Sequence, residues 1–204
     1  MKKLTVEIIL MIAICLPLRA QNPDHIDAST PSDVQIRIAR SAAPQPVSDH
    51  ADIYALRREG YEMVKKGDNG FSCLIEREKP NTMEPVCYDA EGSKTKLKVA
   101  LFVEKERARG VGEQAIEQSI RGGYRAGKFL PPATAGIVYM LSDYNYVLNP
   151  ETGQITRFPG HLMFYAPYAT EKTVGSGEGA PYIVHPGKPD ALMIVVPAGF
   201  HSHN

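Results

Sequence analysis

Two regions of the chain alternate apolar and polar residues with a period close to two, the pattern of β-strands with one buried face. Residues 51–89 contain four such segments separated by turn residues, and they predict an antiparallel β-meander. A second interpretation makes 49–59 a helix that ends before Gly60. The last third predicts a C-terminal antiparallel sheet of six strands, over residues 135–141, 145–148, 154–158, 161–166, 181–185 and 191–196.

Three other segments have the spacing of helices. In residues 31–42, Pro31 stands at the first helical position after the capping residue Thr30, and apolar residues recur at every fourth position. Residues 93–109 are rich in strong helix formers and are followed by glycine, whereas 112–124 place apolar residues on one face. The order of these elements predicts an α+β fold with a meander, two central helices and a C-terminal sheet.

The length of the chain fits one hydrophobic core. We expect residues 30–204 to form a single domain with a mobile C-terminal tail, since a chain of this length buries about 70% of its unfolded surface. Residues 21–29 are polar and lack a pattern, so they predict a flexible leader.

Residues 1–20 have the features of a secretory signal peptide. Lys2 and Lys3 precede an uncharged, mostly apolar stretch from Ile8 to Leu18, and Ala20 supplies the small residue expected at a cleavage site. The apolar stretch is too short to cross a membrane. Lipid anchoring at Cys15 remains an alternative, although the residue before it is not small.

Removal of the signal peptide leaves two cysteines, Cys73 and Cys87. An even number of cysteines in an oxidising compartment favours a disulfide. Folding the surrounding segment into a hairpin about residue 80 places the two cysteines opposite each other, within reach of a bridge. A redox pair is the alternative, but the C-x-x-C spacing of such sites is missing, and so is a neighbouring histidine for zinc.

The charge balance narrows the possible partners. The 23 basic and 23 acidic residues cancel, and cleavage after Ala20 gives the mature chain a formal charge of −2. No global positive field therefore favours nucleic acid or an anionic membrane. No later segment approaches the length of a membrane span, so we expect a soluble mature protein that is periplasmic or extracellular.

Three stretches together resemble a group of exported bacterial proteins to which no activity is assigned. They are GDNGFSCLIER (67–77), PVCYDAEG (85–92) and HLMFYAP (161–167), within a similarity that covers roughly residues 35–197. The resemblance implies export and a shared fold. It implies no catalytic residue, cofactor or partner.

Histidines near strand ends are candidate metal ligands. His161 and His185 each begin or end a predicted strand, where side chains can converge at one end of a sheet. With a carboxylate such as Asp190 or Glu178 nearby, two imidazoles could bind Zn²⁺ or Cu²⁺. The alternative interpretation is that these histidines face water without a shared geometry.

The long irregular stretch 167–180 is a candidate binding loop, because such loops often carry binding residues. Its neighbouring tyrosines, Tyr165, Tyr168 and Tyr182, suit a ligand groove or a protein contact, and they equally suit the edges of a sheet that lacks tryptophan. The glycines at 175–179 lack the spacing of a phosphate-binding loop.

The sequence contains none of the short motifs of nucleophilic hydrolases or zinc proteases. Asp89 and Glu91 could pair for hydrolysis, but the sequence favours a solvated turn at residues 89–92. The sequence therefore favours a non-catalytic binding or structural module. The alternatives are a metal-binding protein or metal-dependent hydrolase that uses His161 and His185, and a thiol oxidoreductase; cofactor, ligand and partner stay unknown.

Overall fold

The structure is a computed structural model that describes residues 25–77, 79–177 and 180–195. The helices in these ranges are α1 Ser32–Arg40, α2 Gln45–Ser48, α3 Ala90–Lys94, α4 Lys96–Ala108, α5 Glu113–Arg125 and α6 Glu171–Val174. The strands are β1 Asp52–Arg57, β2 Gly60–Lys65, β3 Ser72–Glu76, β4 Thr82–Tyr88, β5 Ile137–Met140, β6 Tyr146–Leu148, β7 Ile155–Arg157, β8 His161–Tyr165, β9 Tyr182–Val184 and β10 Leu192–Val195. The predicted signal peptide, Glu178 and the C-terminal tail lie outside the described residues.

The strands form one mixed sheet in the order β2-β1-β3-β4-β5-β8-β10-β9. Strand β6 pairs with the beginning of β4 and with β7. All pairings except β1–β3 are antiparallel. The α+β class is therefore confirmed, with the N-terminal and C-terminal strands joined into one sheet through the β4–β5 pair.

The predicted antiparallel meander is wrong at one pairing. Four strands lie within residues 51–89 as expected, but β3 pairs with β1 in parallel, through Asp52 with Ser72 and Ile53 with Cys73. The connection before β3 crosses the beginning of β1, where the side chain of Asn69 accepts from the amide of Phe71 and donates to the carbonyl of Val47. Asn69 and Gly70 therefore lie in a crossing connection between β2 and β3 and not in a hairpin turn.

One face of the sheet packs against α1 and carries the disulfide. Cys73 and Cys87 are directly opposite each other on β3 and β4, and they are bonded, as the hairpin spacing predicted. Their surroundings are Ile38, Ala39 and Ile53, all fully buried. The disulfide therefore lies in the core and closes the β3–β4 hairpin.

The described part of the predicted leader belongs to this core. Ile26 is 1% exposed and packs in the same cluster as α1. Asp27 holds the turn into α1, because its carboxylate accepts from the amides of Ser29 and Thr30. Residues 25–29 of the predicted leader thus contain a hydrogen-bonded turn and one buried side chain, which a single apolar residue in a polar segment did not indicate.

Helix α4 covers the opposite face through Leu97 and Ala100, which pack on Leu74, Val86 and Val138. The predicted helix 93–109 is divided into α3 and α4 at Thr95, whose backbone leaves helical geometry (φ −119°, ψ −76°).

Helix α5 packs on α4 and on the segment that follows it more than on the sheet. The ring of Phe129 lies 5.3 Å from that of Phe102 on α4 and 5.9 Å from that of Tyr124 on α5. Because α5 stands away from the strands, space remains between the two helices and the sheet.

Candidate ligand-binding cleft

The two histidines predicted to share a metal lie at opposite ends of their strands. Strands β8 and β9 both run antiparallel to β10, so they run parallel to each other. His161 begins β8, whereas His185 follows the last residue of β9. Through their registers with β10, the two histidines are five residues apart along the strands, about 16 Å, which exceeds what one metal ion can bridge.

His161 has a structural environment. It is 6% exposed, its Nδ1 lies 2.9 Å from the carbonyl oxygen of Pro159, and its ring packs beside Phe158. Burial lowers the pKa of His161, so the ring is neutral at physiological pH. No cluster of three or more candidate metal ligands occurs in the part of the chain that the structure describes.

The three candidate tyrosines have different environments. Tyr165 is 8% exposed, and its hydroxyl donates to Oδ1 of Asp89 at 2.9 Å. Tyr182 is exposed on the edge strand β9. Tyr168 is also exposed, and among the three it alone lines the large cleft described below. The irregular stretch that follows Tyr168 contains the short helix α6.

Asp89 and Glu91 do not form a hydrolytic pair. The carboxylate of Asp89 caps α3 by accepting from the amides of Glu91 and Gly92, and its other oxygen accepts from the amide of Ile137 at 2.7 Å. Glu91 accepts from the amide of Ala133 at 2.6 Å. Both carboxylates therefore fix the backbone where α3 meets the sheet.

A cleft of about 1060 Å³ lies between α4, α5 and the loops around β9. One face of α4 lines it at three- and four-residue spacing, with Lys96, Val99, Ala100, Val103 and Arg107. Lys96 and Arg107 are about 16 Å apart along the helix axis. The face of α5 that opposes α4 contributes Ile116, Ile120 and Tyr124.

The cleft is apolar in its middle and polar at both ends. Val99, Val103, Ile116 and Ile120 form the middle. We call the end near Lys96 the loop end, because Tyr168 and the loop 185–190 line it, and the end near Arg107 the network end.

Backbone hydrogen bonds join the two loops of the loop end. The amide of Tyr168 donates to the carbonyl of Lys188 at 2.9 Å, and that of Gly187 donates to Ala169 at 2.8 Å. Tyr168 (φ 64°) and His185 (φ 54°) have left-handed backbone geometry. They are the two non-glycine residues with positive φ in the described ranges. Such geometry costs energy and concentrates at functional sites.

A charged cluster at the loop end joins the β9–β10 connection to α4. Nδ1 of His185 lies 2.8 Å from Oδ2 of Asp190, and Nζ of Lys96 donates to the backbone carbonyl of Asp190 at 3.2 Å. Burial alone would raise the pKa of Asp190, but the hydrogen bond from His185 and the positive charge of Lys96 outweigh it and lower the pKa to about 2. Asp190 is therefore a carboxylate at any physiological pH.

Tyr124 lines the cleft, and its hydroxyl oxygen is buried without a hydrogen-bond partner among the described residues. Burial, followed by the negative charge of Asp190, raises the pKa of Tyr124. The hydroxyl is consequently protonated at neutral pH and is a donor. A buried hydroxyl without a partner is uncommon, because leaving it unsatisfied costs free energy.

The network end is held by ion pairs between α4 and neighbouring segments. Arg107 donates to Glu104 at 2.7 Å, to the carbonyl of Arg77 at 2.6 Å and to both carboxylate oxygens of Glu113 at 2.7 Å. Arg77 pairs with the other oxygen of Glu104. The hydrogen bond from Arg107 lowers the pKa of Glu113. These side chains satisfy one another and fix the position of α5 relative to α4.

Sequence reasoning missed most of this cleft. Tyr124 shares the four-residue spacing of Ile116 and Ile120, which indicated an apolar helix face but not what that face contacts. Asp190 was a candidate partner of His185, and the structure brings these two together. Lys96 gave no signal, because basic residues on a helix are usually solvated.

Comparison of the chain with protein-family models, with curated proteins and with solved structures finds no match in any of the three. None of the helices in the described ranges combines the length and apolarity needed to cross a bilayer. The cleft and the disulfide are therefore the features from which a function is argued.

Proposed function

We propose that this protein is an exported binding protein that holds an elongated organic molecule in the cleft between α4 and α5 and does not transform it. The observation that carries the proposal is the cleft itself, whose apolar middle lies between two polar ends. Sites for small molecules have this composition, with few polar groups around a largely apolar lining.

The size of the cleft favours a molecule larger than one amino acid. Typical small-molecule sites measure roughly 300–1,000 Å³, and this cleft of about 1060 Å³ is at the upper limit. Its apolar walls are parts of rigid helices, and the ion pairs of the network end fix α5. A preformed site of this kind binds without first ordering its walls.

Export is part of the proposal. The signal-like N-terminus and the resemblance to exported bacterial proteins support it. The buried Cys73–Cys87 disulfide fits an oxidising compartment, where such bonds form and persist. The metal-dependent alternative loses its support, because His161 and His185 lie at opposite strand ends.

A neutral apolar probe tests the binding function. Ile120 lines the apolar middle, whereas its neighbour Ser119 is exposed on α5 and does not line the cleft. We expect Ile120→Glu to weaken binding of the fluorescent probe N-phenyl-1-naphthylamine at least tenfold, because a carboxylate would stand in the apolar wall. Ser119→Glu is the matched control and should bind like the wild type.

Two outcomes would count against the proposal. Wild-type protein, purified from the periplasm, could fail to bind the probe and release no organic molecule on denaturation. Alternatively, the Ile120 and Ser119 variants could bind the probe equally well, which would place the probe outside the cleft.

A further inference from the structure

We infer that the ligand of the cleft is an organic acid with an apolar tail, and that its anionic head group binds at the loop end beside Tyr124 and Lys96. This inference rests on the proposed function and adds the chemical class and the orientation of the ligand. Three properties of the cleft carry it: the charge difference between its ends, the buried donor of Tyr124, and the position of the apolar middle.

The two ends of the cleft differ in charge. The network end is balanced, because its three basic side chains face three acidic ones: Arg77, Lys79 and Arg107 against Glu76, Glu104 and Glu113. The loop end has two more basic than acidic side chains even when His185 is neutral: Lys96, Arg121, Arg125 and Lys188 against Glu117 and Asp190. An anion therefore gains more at the loop end.

Helix α5 brings its basic residues to the loop end because it runs back along α4. Glu113, at the start of α5, pairs with Arg107 near the end of α4. One turn later, Glu117 lies 4.0 Å from Nζ of Lys188. The acidic side chains at this end are already paired, since Glu117 accepts from Arg121 at 2.7 Å and Asp190 faces His185 and Lys96.

The hydroxyl of Tyr124 determines which head group fits. It is a buried, protonated donor with no acceptor among the residues the structure describes, although the negative charge of Asp190 is close enough to raise its pKa. An acceptor-only head, such as a carboxylate, satisfies this hydroxyl and is attracted by the excess of basic side chains. An ammonium head group has no acceptor atom, so the Tyr124 hydroxyl would stay without a partner. The basic side chains would also repel the positive charge of the ammonium.

The tail then lies along the apolar middle. Val99 and Val103 follow Lys96 on the same face of α4, and Ile116 and Ile120 oppose them from α5. At the network end beyond them, Arg77 and Arg107 pair with Glu104 and Glu113, and the charges of the lining balance, so a second anionic head group gains little there. A ligand with one acidic head and one apolar tail matches this order.

The experiment compares three probes with the same tail: decanoate, decanol and decylammonium. We expect calorimetric titration at neutral pH to show decanoate binding at least tenfold more tightly than the other two. Tyr124→Phe should weaken decanoate about tenfold, because a hydrogen bond to a charged group is lost, and should weaken decanol less, because a hydrogen bond to a neutral hydroxyl contributes less. Tyr182→Phe is the matched control, since Tyr182 is exposed on β9 and does not line the cleft.

A second pair of variants tests whether the positive charge of Lys96 attracts the head group. Lys96→Gln should weaken decanoate but not decanol, whereas Lys98→Gln, on an exposed position of α4 outside the cleft, should change neither. Thermal unfolding of each variant checks that the fold is intact. If Lys96→Gln does not fold, Tyr124→Phe still decides the inference.

The outcomes separate the two levels of the proposal. Equal binding of decanoate and decanol, or tighter binding of decylammonium, overturns the assigned head group while the binding function stands. Unchanged decanoate affinity in Tyr124→Phe overturns the assigned orientation. Failure of all three probes and of the neutral naphthylamine overturns the binding function itself.

Discussion

Oδ2 of Asp190 lies 2.8 Å from Nδ1 of His185 at the loop end of the cleft. Both side chains belong to the connection between β9 and β10, and His185 has left-handed backbone geometry there. The contact therefore fixes the imidazole ring and ties together the two ends of a short loop that also meets Lys96 of α4.

This contact predicts a loss of stability in acid. The pKa of Asp190 is lowered from 3.8 to about 2 in the folded protein, which corresponds to about 2 kcal/mol of stabilisation. Because the folded pKa is the lower one, the stabilisation is complete above about pH 4 and is lost as the pH falls towards 2. Urea unfolding of wild type and Asp190→Asn should differ by about 2 kcal/mol at pH 6 and converge near pH 2.

The control for this prediction is Asp68→Asn. Asp68 also contacts a histidine, His50, but both side chains are largely exposed. Its substitution should change the free energy of unfolding by less than about 0.5 kcal/mol at each pH. A difference between wild type and Asp190→Asn that does not change with pH would contradict the assigned role of the carboxylate.

The disulfide predicts a second stability effect. Cys73 and Cys87 are 14 residues apart, so the bridge closes a short loop and is worth about 3 kcal/mol in the chain-entropy model. Replacing both cysteines by alanine should lower the free energy of urea unfolding by about that amount, and a reducing agent should have no further effect on the variant.

The burial of the two sulfur atoms also predicts that the disulfide is a structural bond and not a redox centre. Both cysteines are 0% exposed, so glutathione should not reduce the bond in the folded protein over hours at neutral pH. Mass spectrometry after thiol alkylation measures the free thiols. Rapid reduction of the native protein would support the thiol oxidoreductase that the sequence left as an alternative.

The position of this bond could be predicted because it depends on local pairing. Cys73 and Cys87 are equally distant from the middle of a hairpin, and antiparallel pairing makes such residues opposite. Strand β3's other neighbour could not be predicted in this way. On its other side β3 pairs with β1, through Asp52 and Ile53. That pairing depends on the path of the connection across β1, and the local sequence does not encode this path.

The same distinction explains the candidate metal pair. His161 and His185 were correctly placed at strand ends, but which ends meet depends on the relative direction of β8 and β9. Both strands are antiparallel to β10, so the beginning of one and the end of the other lie apart. The cleft escaped prediction for a related reason, since Lys96, Tyr124 and His185 come from three segments that only tertiary packing brings together.

Two adjacent glycines of α5 predict opposite effects on stability. A Cβ atom at Gly123 would lie 2.5 Å from the ring of Phe129, whereas one at Gly122 would meet nothing within 4 Å. Gly123→Ala should destabilise the protein by about 1–3 kcal/mol through this collision. Gly122→Ala should stabilise it by up to about 1 kcal/mol, because alanine favours the helix.

Thermal unfolding of the two glycine variants measures both effects, and the wild type is their common reference. If Gly123→Ala were as stable as Gly122→Ala, Phe129 would not pack against α5 as described. The position of α5, and with it the outer wall of the cleft, would then need revision.

The ion pairs of the network end predict that Glu→Gln lowers the free energy of unfolding much more at Glu104 than at Glu113. Glu104 is 3% exposed and pairs with Arg77 and Arg107, whose side chains are also mostly buried. Glu104→Gln should destabilise the protein by about 3 kcal/mol, because a neutral amide replaces the carboxylate that pairs with the buried guanidinium of Arg77 and one of the two that pair with Arg107. Glu113→Gln removes a half-exposed partner of Arg107 and should cost less than about 1 kcal/mol. Equal costs in urea unfolding would mean that Glu104 does not anchor this end of the cleft.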